Sequence, residues 1–159
     1  GCGLVKSPMG WALAALEELP SRTQITRLDC VEGWSASGKW TGVPLGDLLR
    51  RVTPLPNAKF AVFHCADVDD EGAAYYESMA LVDCYHPQTI LAYEMNGDEY
   101  NAAPGSPLRA VVPGWYAMAS VKWLDRIVIT RTPFAGYYQT LDYAYWERAH
   151  NLALRVPLT

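Results

Sequence analysis

The first group in this chain suited to chemistry is a thiol at the end of a strand-like run. Gln24 to Leu28 delivers Cys30 into the stretch Leu28-Asp29-Cys30-Val31-Glu32-Gly33-Trp34, and Ser35-Ala36-Ser37-Gly38-Lys39-Trp40-Thr41-Gly42 then reads as a glycine- and tryptophan-rich loop. A thiolate is a soft ligand suited to a redox metal, and a carboxylate beside it, Glu32, could tune the metal or relay protons. By residue type alone, a buried and inert core thiol is the commoner case. Two cations stand downstream in strand-rich contexts, Arg109 after Pro107 and Lys122 before Trp123. A cation on an apolar strand must be paired or reach solvent, so either a bound anion such as a phosphate or ordinary salt bridges and snorkelling stems would account for them.

Other familiar sites fail on spacing. No G-x-G-x-x-G or Walker loop is present, so nucleotide phosphates lack their cradle. Gly33-Trp34-Ser35-Ala36-Ser37 nearly copies the serine-hydrolase elbow, but it ends in Ser where Gly is needed, and Gly38 and Gly42 follow where that motif demands a helix. His64, His86 and His150 are too scattered to form a metal pair on one helix face. The acidic run Asp67 to Gly72 lacks the twelfth-position Glu of a calcium loop, since Ser78 stands there, and reads as a solvated loop.

The elements that must position these groups fit one domain spanning 1–159, large enough to bury a core. Half the residues are hydrophobic, and the net charge of −4 comes without a basic run, which argues against a nucleic-acid partner. No apolar stretch is long enough to span a bilayer, and Trp11 to Leu19 carries two glutamates that do not suit a secretory leader. Cys2, Cys30, Cys65 and Cys84 contain no C-x-x-C, which argues against structural zinc and leaves any disulfide pairing open.

Helical spacing predicts a helix over Trp11 to Leu19 and another over Pro44 to Val52, with Pro44 in its first turn. Strands are expected at Gln24 to Asp29, Lys59 to His64, Thr89 to Met95, Leu108 to Val112 and Val121 to Thr130, with Asn96-Gly97 closing a hairpin. Ser78 could cap a short helix over Met79 to Cys84. The tail, Phe134 to Thr159, reads as aromatic and partly helical, with Tyr143, Tyr145 and Trp146 packing on the domain. Hairpins mixed with helices indicate an α+β domain with mixed β-sheets and short helices.

Four blocks in order resemble the sulfite oxidase superfamily of molybdenum-cofactor enzymes. They are Leu28 to Trp34 with Trp40 to Leu45; Ala74-Tyr75-Tyr76-Glu77-Ser78; His86 to Gly97; and Gly105 to Gly114 with Val121-Lys122-Trp123-Leu124. The resemblance implies a sulfite-oxidase-like molybdopterin-binding fold with a molybdenum–molybdopterin cofactor. Cys30 matches the molybdenum-ligating cysteine and Tyr75 an active-site tyrosine, while Arg109 and Lys122 match positions that hold the pterin phosphate. Asp67 falls at an acidic position of the family. Glu32 and Trp34, directly after the cysteine, are then candidates to shape the substrate pocket and to line the cofactor.

The pattern Cys30-Val31-Glu32-Gly33-Trp34 is similar to the bacterial periplasmic methionine-sulfoxide reductase branch. An acidic group there disfavours sulfite. Oxygen-atom transfer on a small or protein-bound S-oxide, N-oxide or sulfur oxyanion is the implied reaction, with electrons exchanged with a separate haem or other redox protein. Any membrane association would come only through such a partner, and the branch implies a periplasmic location, with a cytoplasmic one left open. The resemblance also carries the expectations that a family histidine is replaced near Pro104 and that this chain lacks the family's N-terminal portion. The alternative is a cofactor-free binding or assembly subunit that keeps the fold.

Overall fold

The computed structural model describes residues 2–30, 33, 35–68, 74–99, 107–115, 117–134, 144–149 and 152–157. In chain order its elements are β1 (Cys2–Gly3), α1 (Leu13–Glu17), β2 (Arg22–Asp29), β3 (Ser35–Pro44), α2 (Leu45–Val52), β4 (Phe60–Val68), β5 (Ala74–Ala80), α3 (Leu81–Cys84), β6 (Ile90–Met95), β7 (Asp98–Glu99), β8 (Arg109–Val111), a 3₁₀ turn (Ala117–Ala119), β9 (Leu124–Thr130), β10 (Ala144–Ala149) and β11 (Leu152–Pro157). One sheet has the order β1-β9-β4-β5. A second runs β2-β3-β6, and β7 and β8 share the far edge of β6. Only β1 and β9 run parallel among the described pairs, so the first sheet is mixed and the domain is α+β, as the sequence implies.

The two sheets close on one apolar core. β4 contributes Ala61 and Phe63, β5 Met79 and β9 Ile129, and from the second sheet come Val43, Leu91 and Ala110. α2 covers them because Leu45, Leu48, Leu49 and Val52 recur at helical spacing and are all buried. Each such side chain contributes about 1.5–3 kcal/mol when fully buried. Asp47 in its first turn and Arg50 and Arg51 in its last complement the helix dipole, and Thr53, at φ 53, ends it. Asn96 (φ 57) and Gly97 (φ 89) form the tight turn expected between β6 and β7.

Four expectations need correction. Ser35 to Gly42 is not a loop. It belongs to β3, paired with β2 from Asp29↔Ser35 to Arg22↔Gly42, so the turn is confined to the few residues after Cys30. Ser78 caps nothing. It lies within β5, where its hydroxyl donates to the Phe134 carbonyl, and α3 starts later without a side-chain cap. β9 begins at Leu124 rather than Val121. In the tail the described residues form an antiparallel hairpin, β10–β11, instead of helix. Tyr143 lies outside the described residues, as do the side chains of Tyr145 and Trp146.

Candidate functional site

Along β2 the buried positions alternate, Gln24, Thr26 and Leu28 facing in and Ile25 (80 % exposed), Arg27 and Asp29 facing out. Cys30 continues the inward parity and is half-buried with a free thiol. The Gly33 N–H donates to the Cys30 carbonyl at 3.0 Å, and Gly33 takes φ 93, which only glycine adopts without strain. This places the thiol at the tip of the β2–β3 hairpin. Glu32 and Trp34 lie outside the described residues.

Arg109 opens β8, on the same sheet face. Its register runs Arg109↔Ala92 and Ala92↔Gly42, and the small cluster on this face contains Leu28, Trp40, Ile90, Ala92 and Val111. The Arg109 guanidinium is buried. Nη2 donates to the Ser120 carbonyl at 2.7 Å, and Cζ lies 5.2 Å from the centroid of the Trp40 ring. Backbone bonds Ala110 N–H to Val121 O and Leu124 N–H to Leu108 O lay the segment before β9 alongside β8, which sets Lys122 opposite Arg109. Lys122 is exposed, with Nζ 5.1 Å from the Trp123 ring. Trp123 itself takes φ 45, a left-handed conformation that costs a non-glycine residue about 1–2 kcal/mol, and the chain kinks there before entering β9.

Tyr75 lies on the other sheet, partly buried against the main core. Its hydroxyl donates to Oε2 of Glu77 at 3.1 Å, and its carbonyl accepts from the Cys65 thiol. Glu77 is 1 % exposed, a carboxylate on the inward stripe Tyr75, Glu77, Met79. β5 packs against the 3₁₀ turn that leads to Ser120, so the strand of Tyr75 adjoins the segment that carries the hydrogen-bond partner of Arg109. The sequence reasoning did not single out Glu77, Ser120 or the contact made by Trp40. Period-two alternation after Tyr75 is the signal that would have found Glu77; the other two depend on long-range packing.

The remaining candidates stand apart from this face. Ser35 is an exposed strand residue and not an elbow. His64, on β4, meets the Tyr76 ring edge-on at 4.5 Å; burial, reinforced by Arg126 and opposed by Asp125, lowers its pKa from 6.5. Cys84 is fully buried, and burial with the neighbouring Asp83 pushes its thiol up to about 12, as expected of an inert core cysteine. Asp67 lies at the end of β4 with its side chain outside the described residues, as is the rest of the acidic run from Asp69 to Gly72. His150 also lies outside them. Among the described residues no cluster of three His, Cys, Asp or Glu side chains could hold a metal ion, so a protein metal ligand at Cys30 would act with donors from elsewhere.

Residues 2–138 match the family described as the oxidoreductase molybdopterin binding domain. The chain is 35 % identical over 144 residues to YedZ1 of Azospira oryzae, provisionally named a protein-methionine-sulfoxide reductase subunit, covering 91 % of this chain and 53 % of that protein. It is 33 % identical over 147 residues to the protein-methionine-sulfoxide reductase catalytic subunit MsrP of Xanthomonas axonopodis pv. citri, covering 85 % and 46 %. Mitochondrial sulfite oxidase of Drosophila melanogaster is 35 % identical over 131 residues, covering 77 % and 23 %. The chain thus spans about half the length, or less, of these curated relatives. The sulfane dehydrogenase SoxCD from Paracoccus pantotrophus superposes with a TM-score of 0.84 over 96 % of this chain and 42 % of that one, at 23 % identity, a likeness of fold. With 2–138 matched and such relatives at both ends of the superfamily, the chain belongs to the oxidoreductase molybdopterin-binding domain family of the sulfite oxidase superfamily, in its methionine-sulfoxide-reductase-like branch.

Proposed function

We propose that residues 1–159 form one molybdopterin-binding catalytic domain that carries out oxygen-atom transfer on a small or protein-bound S-oxide, an N-oxide or a sulfur oxyanion. The observation that carries this reading is the placement of Cys30 and Arg109 on one face of one sheet, with Lys122 opposite Arg109. The donor set suits a molybdenum–pterin cofactor: a soft thiol for the metal, a planar cationic fork and an ammonium for a phosphate. The Trp40 indole lies against Gly38, level with Thr26, four residues from Cys30 along β2, or about 13 Å at strand spacing.

In this reading Cys30 is the protein's metal ligand, Arg109 and Lys122 hold the phosphate end, and Trp34 lines the cofactor. Such a cofactor supplies a metal that cycles by two electrons. Reduction of a sulfoxide needs those two electrons and two protons and releases the oxygen as water. Tyr75 would hydrogen-bond the transferred oxygen by redirecting the one O–H proton that it gives to Glu77 in the structure, and Glu32 would disfavour anionic sulfite. A separate haem or other redox protein would exchange the electrons. Among the described residues no helix is long and apolar enough to cross a membrane. A periplasmic location, with membrane contact only through that partner, is part of the same proposal.

The test is metal and pterin analysis of protein purified from a host that makes the cofactor. Molybdenum and a pterin released by acid are expected, and Cys30→Ser should lower molybdenum per protein by at least about tenfold. Protein that folds there yet holds neither metal nor pterin would instead be the cofactor-free binding or assembly subunit.

A further inference from the structure

We propose that Trp40 is a positioning residue for Arg109, fixing the plane from which the guanidinium meets the cofactor phosphate. This rests on the reading of Arg109 as the phosphate-binding group. The indole is 3 % exposed, and its own position is defined before the arginine arrives. Nε1 donates to the Thr26 carbonyl across the β2–β3 pair in a long 3.4 Å bond. Gly38, two residues earlier on the same strand face, leaves the room: a Cβ there would stand 3.0 Å from Cε2 of the indole and 3.1 Å from the Met95 methyl.

Arg109 then meets two fixed surfaces. Its Cζ lies over the indole, 5.2 Å from the ring centroid, where the ring quadrupole attracts a cation. One end is tied by Nη2 to the Ser120 carbonyl at 2.7 Å. Ser120 is itself held, its hydroxyl accepting from the Val112 N–H at 3.1 Å, and it is 1 % exposed. Packing over the indole and the hydrogen bond at Nη2 hold the fork at two points and so restrain its rotamers. The rotamer freedom of a long arginine is therefore lost on folding instead of on ligand binding, which favours affinity. A lysine could supply the same charge but has no plane for the indole to set.

A purely structural Trp40, filling space between Leu28 and Ile90, makes a different prediction from a positioning one. The decisive comparison is a double-mutant cycle read as pterin retained per folded protein during dialysis of holoprotein, beside the urea unfolding midpoint. Trp40→Leu should lower pterin retention by about tenfold, and Trp40→Phe, which keeps an aromatic face, should restore most of it. In an Arg109→Lys background the Trp40→Leu effect on retention should vanish, because no planar group remains to be oriented. If Trp40→Leu does not fold, Gly38→Ala serves: it displaces the indole while keeping it, and should reduce retention in the Arg109 protein and not in the Arg109→Lys protein.

Equal losses in both backgrounds, tracking the unfolding midpoint, would overturn the positioning role and leave the phosphate reading of Arg109 intact. Unchanged retention in Arg109→Gln would overturn that reading itself, and the role of Trp40 with it.

Discussion

The two faces of the β2-β3-β6-β8 sheet are built from alternate residues of the same strands, yet they are different surfaces. One face offers Val43, Leu91 and Ala110, all apolar, to α2 and the other sheet. The opposite face is equally buried but mixed: Leu28, Ile90, Ala92 and Val111 form an apolar floor on which Gln24, Thr26, Trp40 and Arg109 stand. Burying polar groups is costly unless they are hydrogen-bonded. Gln24 Nε2 donates to Thr26 Oγ1 and to the Gln88 carbonyl, both at 2.9 Å, and Gln24 Oε1 accepts from Arg22 Nε at 2.8 Å. Period-two alternation thus divides labour within one sheet. One stripe holds the fold, and the other holds polar groups where a polar ligand can be met.

That division can be broken by one substitution on each face. Leu91→Ala, at a site 4 % exposed on the apolar face, should cost about 2–5 kcal/mol, read as a lower urea midpoint, while pterin bound per folded molecule stays at the wild-type level. Loss of pterin from molecules that remain folded would show that the faces are not separable. On the other face, Thr26→Val keeps shape but removes the acceptor for Gln24 Nε2, which retains the Gln88 carbonyl. A cost of about 1 kcal/mol is expected. A cost like that of Leu91→Ala would mean that this face, too, is primarily a folding surface.

How far these faces could be read from the residues depends on what kind of interaction makes them. The alternation of Gln24, Thr26 and Leu28, the helical spacing from Leu45 to Val52 and the Asn96-Gly97 turn are local patterns, and each element formed where they point. β3 was missed because Ser-Ala-Ser-Gly-Lys has poor strand propensity. It is a strand because β2 pairs with it along eight residues and because Trp40 is buried on its face. The tail failed for a similar reason: its register, Ala144↔Pro157 to Ala149↔Leu152, is a pairing between segments, invisible in either alone. Cys30, Arg109 and Lys122 stood out by residue type and context and took their roles from the matched blocks, and the sheet accounts for why Cys30 and Arg109 share a face. Ser120 and the indole of Trp40 acquire their roles only through partners distant in sequence. Glu32 and Trp34 keep the standing that the family blocks lent them.

The neighbouring sheet repeats the contrast on a smaller scale. Phe63 points into the core with no exposure, and the next residue, His64, points the other way, towards Val62, Val128, Thr130 and Phe134 around a cavity of about 220 Å³. The His64 Nδ1 atom is buried there without a hydrogen-bond partner, so an imidazolium would bury a second N–H with no acceptor. Burial first, then Arg126, lowers the folded pKa below 6.5, and Asp125 offsets this only in part. Because the folded protein then binds its proton less readily than the unfolded chain, stability should fall as pH drops below 6.5 and level off once the folded pKa is passed. Unfolding in urea at about pH 7.5 and about pH 5.5 should show a modest loss in the wild type. His64→Gln, uncharged at both values, should shrink that loss. An undiminished acid sensitivity in His64→Gln would place its source elsewhere and leave the outward face of β4 as inert to pH as the Phe63 side.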